Sequence, residues 1–550
     1  SDVCSSDLFE TGVANTTFTS ESPLPSTAIF SGGMRGSSIQ YYRDVFVSQS
    51  QDVIVIHIGA STPKSIYFRA RFDRGNFVRN AFALADDTIA MQDTHGIPFT
   101  LMATAVCSGG SVKTSGANLI VDGADEVVIY IDIQTVWRKG SYNLKKGNVH
   151  SSNNFLATWS SDYALKKLCF AASSEYVDLY KDQVSDFGEL YKQEKLSLTP
   201  SVEDADKERS IYIEDILSKG MEKSPTSNEL YWAWCRYLYL SSQKKHQVPS
   251  AVSWGLWNNG FDSEQGKRGV ALEMLDSLDG QEMPSALLKR VWRNGKKTAR
   301  VMFGLEGFAA FDSTDLWGDS APVAEDGRES IVPLGGIKIA LFIKDCYERT
   351  MDIKSLRKHF YLIKGACDFF AGFVGAGYVL SEEEKVLVAE LFEGALVCLG
   401  YLNMQEKNAD CAKWKSLLES LVTDVKEKKK KEGFNVFEEG LSPLVYAEKS
   451  LSNMKSSIVR SDFKAGCLII ELLPSLAPAW KDGRLQGCRI KGNMILNIEW
   501  NGGNLKSADL VAMSESSHAE SVTVIYKGKR YEAAFNGNSL DLLNVLPTTI

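Results

Sequence analysis

Ten cysteines are scattered along the chain, at Cys4, Cys107, Cys169, Cys235, Cys346, Cys367, Cys398, Cys411, Cys467 and Cys488, and none stands in CxxC or CxC spacing. That absence excludes a structural zinc knuckle and leaves several thiols to pack as small hydrophobes. Histidine is scarce, with six in the chain. No stretch approaches the roughly 20 apolar residues of a membrane helix. There is no basic surplus: 61 Lys and Arg against 69 Asp and Glu give a net charge of -8. Nucleic acid and anionic membrane are therefore excluded as main partners. A P-loop, a dinucleotide-binding glycine pattern after a strand, an HExxH pair and a serine nucleophile elbow are all missing, so no cofactor and no metal is implied.

What remains is ordinary globular material. The 550 residues are 44% apolar and 24% charged, enough for two to four domains with sizeable cores. The first eight residues, SDVCSSDL, read as a translated sequencing adapter. Positions 1–8 are set apart on that ground, and the true N-terminus is expected to be missing. The sequon Asn15-Thr16-Thr17 bears only on a secreted protein.

Residues 9–198 are written in strands. Asp52 to Gly59 and Ile66 to Phe72 are β-rich, Val127 to Ile133 is a β-branched run followed by Thr135 to Trp137, and glycines at 109, 110, 116 and 123 space them. Short strands with turn signals predict an antiparallel β-sandwich. Ser161 to Leu198, richer in Lys and Glu, is expected to carry the first helices.

Residues 199–470 change period. Leu356, Phe360, Ile363, Cys367, Phe370 and Val374 share one helix face, and Ile339, Phe342, Ile343 and Cys346 share another. Ser381 followed by Glu384 predicts a capping box, opening a helix striped by Val388, Leu391, Phe392, Ala395 and Leu399. Gly372, Gly375 and Gly377 fit a helix C-terminus. His359 reads as a structural residue on a polar helix edge. The run KEKKKK at 426–431 follows the stripe of Trp414, Leu417, Leu418 and Leu421 and reads as a solvated helix face. These helices predict an antiparallel toroid or bundle.

The stretch Ile469 to Trp500 marks a boundary. Prolines at 474 and 478 punctuate a connector, Asp482 and Gly483 turn, and Leu496, Ile498 and Trp500 then alternate with Asn497 and Glu499. That period of two predicts a half-buried strand, closed by Asn501, Gly502 and Gly503. Val522, Val524 and Tyr526 alternate likewise before a turn at Lys527-Gly528-Lys529. Residues 471–550 are expected to form a small β domain.

Taken in order, these pieces resemble glycoside hydrolase family 95, the α-L-fucosidase family. The strongest likeness is Leu472-Leu473-Pro474, Trp480, Gly483 to Gly487, Arg489 to Gly492 and Glu499-Trp500. Tyr42-Arg43-Asp44-Val45-Phe46, Gly123-Ala124-Asp125, Arg236-Tyr237-Leu238, Gly255-Leu256-Trp257-Asn258, Thr314-Asp315-Leu316-Trp317-Gly318 and Pro333-Leu334-Gly335-Gly336 are similar to further family motifs. The resemblance implies a multidomain α+β chain. Its parts are an N-terminal antiparallel β-sandwich, a central (α/α)6-type helical barrel, here incomplete, and a C-terminal small β-sandwich. It also implies a fucosylated oligosaccharide or glycan as partner, inverting hydrolysis of terminal α-L-fucosides, and a secreted or periplasmic location.

The departures bear on the chemistry. After Asn258-Asn259 the family's asparagine-rich segment is missing, and with it the residues that help hold the hydrolytic water. Ser381-Glu382-Glu383-Glu384 stands where a Ser-Pro-Glu-Asn motif carries the family's acid, and the histidine-rich segment has no counterpart between Leu421 and Lys464. Inverting hydrolysis places an acid and an activated water on opposite sides of the bond, the groups about 6.5–9.5 Å apart. Loss of one such partner costs a factor of about 10²–10⁴. Glu382 and Glu384 are the candidates for a displaced acid, against the capping box that already accounts for them. Asp315, Trp317 and Asn258 are the candidates for sugar binding, the ring stacking on fucose and the carboxylate binding its hydroxyls. The plainer reading has Asp315 capping a turn and Trp317 filling the core.

Three readings follow: a fucosidase-class enzyme by descent, a catalytically inactive carbohydrate-binding or scaffold homologue, and a faulty gene model of an active enzyme. Missing helix-sized segments are expected to leave apolar faces such as Leu356 to Val374 partly uncovered.

Overall fold

The computed structural model describes residues 7–21, 38–74, 80–93, 99–135, 149–198, 225–242, 285–311, 318, 320–322, 332–404, 410–424, 443–464, 466–514, 519, 521–535 and 537–546. The chain divides into two compact units, 1–192 and 193–550. The basic run at 426–431 lies outside the described residues.

The first unit opens with a short helix, α1 (Asp7–Thr11), then ten strands: β1 (Ala14–Glu21), β2 (Ser38–Val47), β3 (Ile54–Ala60), β4 (Ile66–Arg71), β5 (Asn80–Ala85), β6 (Thr88–Asp93), β7 (Phe99–Ser108), β8 (Ser111–Ser115), β9 (Asn118–Ala124) and β10 (Glu126–Thr135). They form a seven-stranded sheet, β1-β2-β3-β10-β7-β6-β5, and a three-stranded sheet, β4-β9-β8. The pairings within them are antiparallel.

Strand β10 explains the layering. Val127 and Ile129 point to a core shared with Ile66, Leu119 and Val121 of the small sheet. Val128 and Tyr130 point the other way, to Ala164, Leu168 and Leu179. Those last residues belong to α2 (Val149–Ala172) and α3 (Tyr176–Lys192), which cover the large sheet's second face. A strand buried on both faces must be apolar throughout, hence the run from Val127 to Ile131. The expected sandwich is therefore present with a helical layer added to it.

The second unit begins with β11 (Lys195–Leu198) and continues through α4 (Pro225–Ser242), α5 (Ser285–Thr298), a π-helical turn (Ala299–Phe303), α6 (Gly335–Thr350), α7 (Ile353–Gly375), α8 (Glu382–Tyr401), α9 (Asp410–Asp424) and α10 (Pro443–Ile458). Every predicted member of the α7 stripe from Leu356 to Phe370 is buried, Val374 is half-buried, and the α6 and α8 stripes join the same core. The expected uncovered face is thus corrected: neighbouring helices close over it, with Phe369, Phe370, Phe373 and Phe392 fully buried. Each such ring contributes about 1.5–3 kcal/mol.

Strands begin earlier than the sequence pattern suggests. β12 (Val459–Lys464) follows α10 directly and precedes β13 (Cys467–Leu472), β14 (Gly483–Ile490), β15 (Met494–Asn501), β16 (Asn504–Ala512), β17 (Ser521–Tyr526), β18 (Lys529–Ala534) and β19 (Ser539–Asp541). They form two sheets, β11-β14-β15-β16-β19 and β12-β13-β17-β18. β13 and β17 pair in parallel. Leu496, Ile498 and Trp500 are buried as their alternation requires, and the Trp500 indole N–H donates to the carbonyl oxygen of Trp480 at 2.8 Å. β11 pairs with β14, Leu198 opposite Gly483, so the chain before the helices is joined to the chain after them. Gly487 kinks β14 at φ 69°, against the Gln193 backbone where no side chain fits.

Candidate functional site

Asp315, Trp317 and Asn258 lie outside the described residues, but both flanks of the 312–317 segment are pinned. Phe308 N–H donates to Gly365 of α7 at 3.1 Å, and Ala309 N–H donates to Gly295 of α5 at 3.1 Å. Ala310 bridges Leu334 in parallel, and Gly336 N–H donates to the Ala310 carbonyl at 3.0 Å. On the far side, Gly318 accepts from Asn294 Nδ2 at 2.8 Å, and Ser320 Oγ meets Thr298 Oγ1 at 2.7 Å. Gly318 has φ 68°, and a Cβ there would stand 2.9 Å from Arg290 Cβ and from the Val291 nitrogen. The glycine of the Thr-Asp-Leu-Trp-Gly motif is thus required by the backbone and by the close approach of α5.

Phe311, the last residue before this segment, faces Phe303 of the π-helical turn with ring centroids 6.4 Å apart. Phe303 also meets Tyr378 edge-on at 6.0 Å, and Tyr378 stacks on Phe373 at 4.3 Å. Tyr378 belongs to the turn between α7 and α8. That turn is set by Gly377 at φ 80° and leads directly to Ser381. Phe311, which precedes the 312–317 segment, and Tyr378, which precedes Ser381 by three residues, thus share Phe303 as a neighbour in one aromatic floor. Close in sequence to these rings, Val301 is 81% exposed and Val379 90%. The π-helical turn carries no period that sequence reasoning could have found. Such turns recur at functional sites.

The acid candidates at the start of α8 are engaged. Ser381 Oγ accepts from Glu384 N–H at 3.2 Å, and Glu384 Oε2 accepts from Ser381 N–H at 2.7 Å, the two halves of a capping box. Glu382 forms an exposed ion pair with Lys385 at 3.1 Å. Among the described residues, Glu229 is the carboxyl held above its ordinary range. Burial raises it, while the Leu198 N–H, 2.9 Å from its Oε2, opposes the rise and ties it to β11. His359 departs from its expected place on a polar edge, being buried on α7. Its Nε2 lies 2.9 Å from Ser285 Oγ, a partner 74 positions earlier that satisfies the ring's polarity inside the core. No group of three or more His, Cys, Asp or Glu able to hold a metal occurs among the described residues.

Residues 175–390 match the glycosyl hydrolase family 95 catalytic domain, and residues 466–541 match the glycoside hydrolase family 95 C-terminal domain. The chain is a glycoside hydrolase family 95-like protein. Residues 8–140 of this family 95-like protein match the glycosyl hydrolase family 65 N-terminal domain. Alpha-L-fucosidase 2 of Arabidopsis thaliana is 23% identical over 381 residues, covering 62% of this chain and 44% of that protein. The matched stretch thus spans less than half of the curated relative. A putative kojibiose phosphorylase from human microbiome shares the architecture at 10% identity, with a TM-score of 0.60 over 97% of this chain and 84% of that one. The catalytic-domain match takes in the pinned flanks, the aromatic floor and the first turns of α8.

Proposed function

We propose that this family 95-like protein is directed at fucosylated glycans, the substrates of the α-L-fucosidase class, and that the 550-residue chain binds them without turnover. The carrying observation is the capping box, in which Glu384 uses Oε2 to close the α8 N-terminus while Glu382 is paired with Lys385. A general acid must instead present its carboxyl to the glycosidic oxygen. Sugar contact is assigned to Trp317, by stacking, and to Asp315 and Asn258, by hydrogen bonds, with the pinned Phe311 and Gly318 holding the segment's ends.

Incubation with an α-1,2-fucosylated oligosaccharide should release no fucose, and titration with free fucose should detect weak binding that Trp317→Ala abolishes. Clear release of fucose would overturn the binding-only reading. Resequencing the transcript is a separate check. Recovery of the asparagine-rich and histidine-rich segments would restore an active fucosidase in its place.

A further inference from the structure

Ser285, His359 and Lys358 form a constellation that the glycan reading does not use. Ser285 opens α5, and its Oγ lies 2.9 Å from His359 Nε2. The other ring nitrogen, Nδ1, lies 2.9 Å from the carbonyl oxygen of Ser355, one turn earlier on α7. A carbonyl oxygen can only accept, so Nδ1 carries the proton and Nε2 of the neutral ring is a bare lone pair. Lys358 Nζ donates to the same Ser285 Oγ at 3.1 Å. Because Nε2 is the unprotonated nitrogen, the 2.9 Å contact is one in which the Ser285 hydroxyl donates and Nε2 accepts. Nucleophile, base and base-orienting group therefore stand in sequence, the orienting group being a backbone carbonyl. His359 is 3% exposed, whereas Ser285 is half-buried and Lys358 exposed, so the hydroxyl lies toward solvent from the ring.

We propose that Ser285 is a nucleophile, with His359 as its general base and Lys358 as its electrostatic support, that takes the acyl group of small activated carboxylic esters. Ser285 Oγ attacks the acyl carbon while its proton passes to His359 Nε2. The bond from that carbon to the leaving oxygen breaks, and Nε2–H returns the proton to the departing alcohol. Water then cleaves the acyl-serine ester through the same nitrogen, releasing a carboxylic acid and restoring the hydroxyl. No oxidant or reductant enters. In this scheme the Lys358 ammonium, 3.1 Å from Ser285 Oγ, and the first-turn N–H groups of α5, which have no acceptor within their helix, supply positive charge to the developing oxyanion. Burial, reinforced by the Lys358 charge, holds His359 below the usual imidazole range against the Ser355 carbonyl and Asp352. The ring is therefore neutral at pH 7 and able to accept a proton.

The test uses the full chain with p-nitrophenyl acetate and with a fluorophosphonate probe, the adduct mapped by mass spectrometry. A single adduct on Ser285 is expected, absent in Ser285→Ala. Labelling of His359→Gln should be slower by about 10²-fold or more. Lys358→Met, at an exposed position that leaves the core untouched, should slow it about tenfold. The wild-type rate should hold to below the pH at which an ordinary histidine protonates. Absence of an adduct on Ser285, or a wild-type rate in Lys358→Met together with His359→Gln, overturns the proposal. Neither result bears on fucose binding.

Discussion

Replacing Lys491 with methionine should loosen the C-terminal strands from the helical region by about 2–3 kcal/mol. Lys491 follows β14, and its Nζ lies 2.8 Å from Glu348 Oε2 and 3.1 Å from Asp345 Oδ1, both on α6, with Asp462 of β12 at 3.6 Å. Glu348 is fully buried and also holds Lys344 Nζ at 2.6 Å and the Tyr401 hydroxyl at 3.1 Å. The next residue, Gly492, donates its N–H to the Glu348 carbonyl at 2.6 Å. Burial alone would lower the ammonium's pKa, but Asp345 and Glu348 outweigh it and push it from 10.5 up to about 12.

That displacement corresponds to about 2 kcal/mol of coupling. Breaking a buried pair costs about 3–5 kcal/mol, and here Lys344 remains to balance Glu348, which sets the expectation at the low end. Because the folded value is raised, the contribution is complete below pH 10.5 and fades as pH climbs through about 12. Urea unfolding at pH 7, followed by emission of the buried Trp480 and Trp500, measures it. Lys491→Met within about 0.5 kcal/mol of wild type would refute the reasoning, as would a difference that does not shrink above pH 10.5.

Phe370→Ala, in the centre of the helical core, should cost about 3–5 kcal/mol, read as a lowered melting temperature. Ser381→Ala should cost about 1 kcal/mol and leave fucose binding unchanged; a tenfold change in binding would instead place the α8 N-terminus in the sugar site. In the first unit, both His57 nitrogens face carboxylates, Nδ1 to Asp44 at 3.3 Å and Nε2 to Glu126 at 2.6 Å, and Tyr176 stacks on the ring at 3.9 Å. Burial would lower the His57 pKa, yet the two carboxylates raise it. Its stabilising effect is thus complete below the ordinary imidazole value and lost as pH rises through the raised one. His57→Gln should flatten that slope in thermal melts from pH 6 to 9, and an unchanged slope would assign it to another group.

The elements that sequence made legible are those whose signal is local. The capping box of Ser381 and Glu384 needs two side chains three residues apart, and both of its hydrogen bonds are present. The α7 stripe and the alternation from Leu496 to Trp500 are likewise periods within one element. β14 was hidden because its register shifts between Leu485 and Cys488, which breaks the alternation at Gly487. β12 was hidden because only Val459 and Phe463 of its six residues are buried, too few to show a period. The chemistry fared worse for the same reason. His359 reads from sequence as a structural residue on a polar helix edge, and its burial against Ser285 stays hidden because that partner lies on another helix, a pairing that no spacing along the chain announces. The glycines of the motifs gave away descent rather than reaction: Gly318 and Gly487 are there because the backbone leaves no room for anything else.

The pairing of Leu198 with Gly483 makes the entire helical region an insertion between two adjacent strands of one sheet. The entropy of closing a loop grows only with the logarithm of its length, about 0.6 kcal/mol per doubling. Once β11 and β14 are paired, whole turns and connectors can be gained or lost inside the insertion at little cost to its closure, provided the remaining helices still cover one another. A chain with this topology can therefore shed the parts that perform chemistry while its frame persists, and its length is a poor guide to whether it folds.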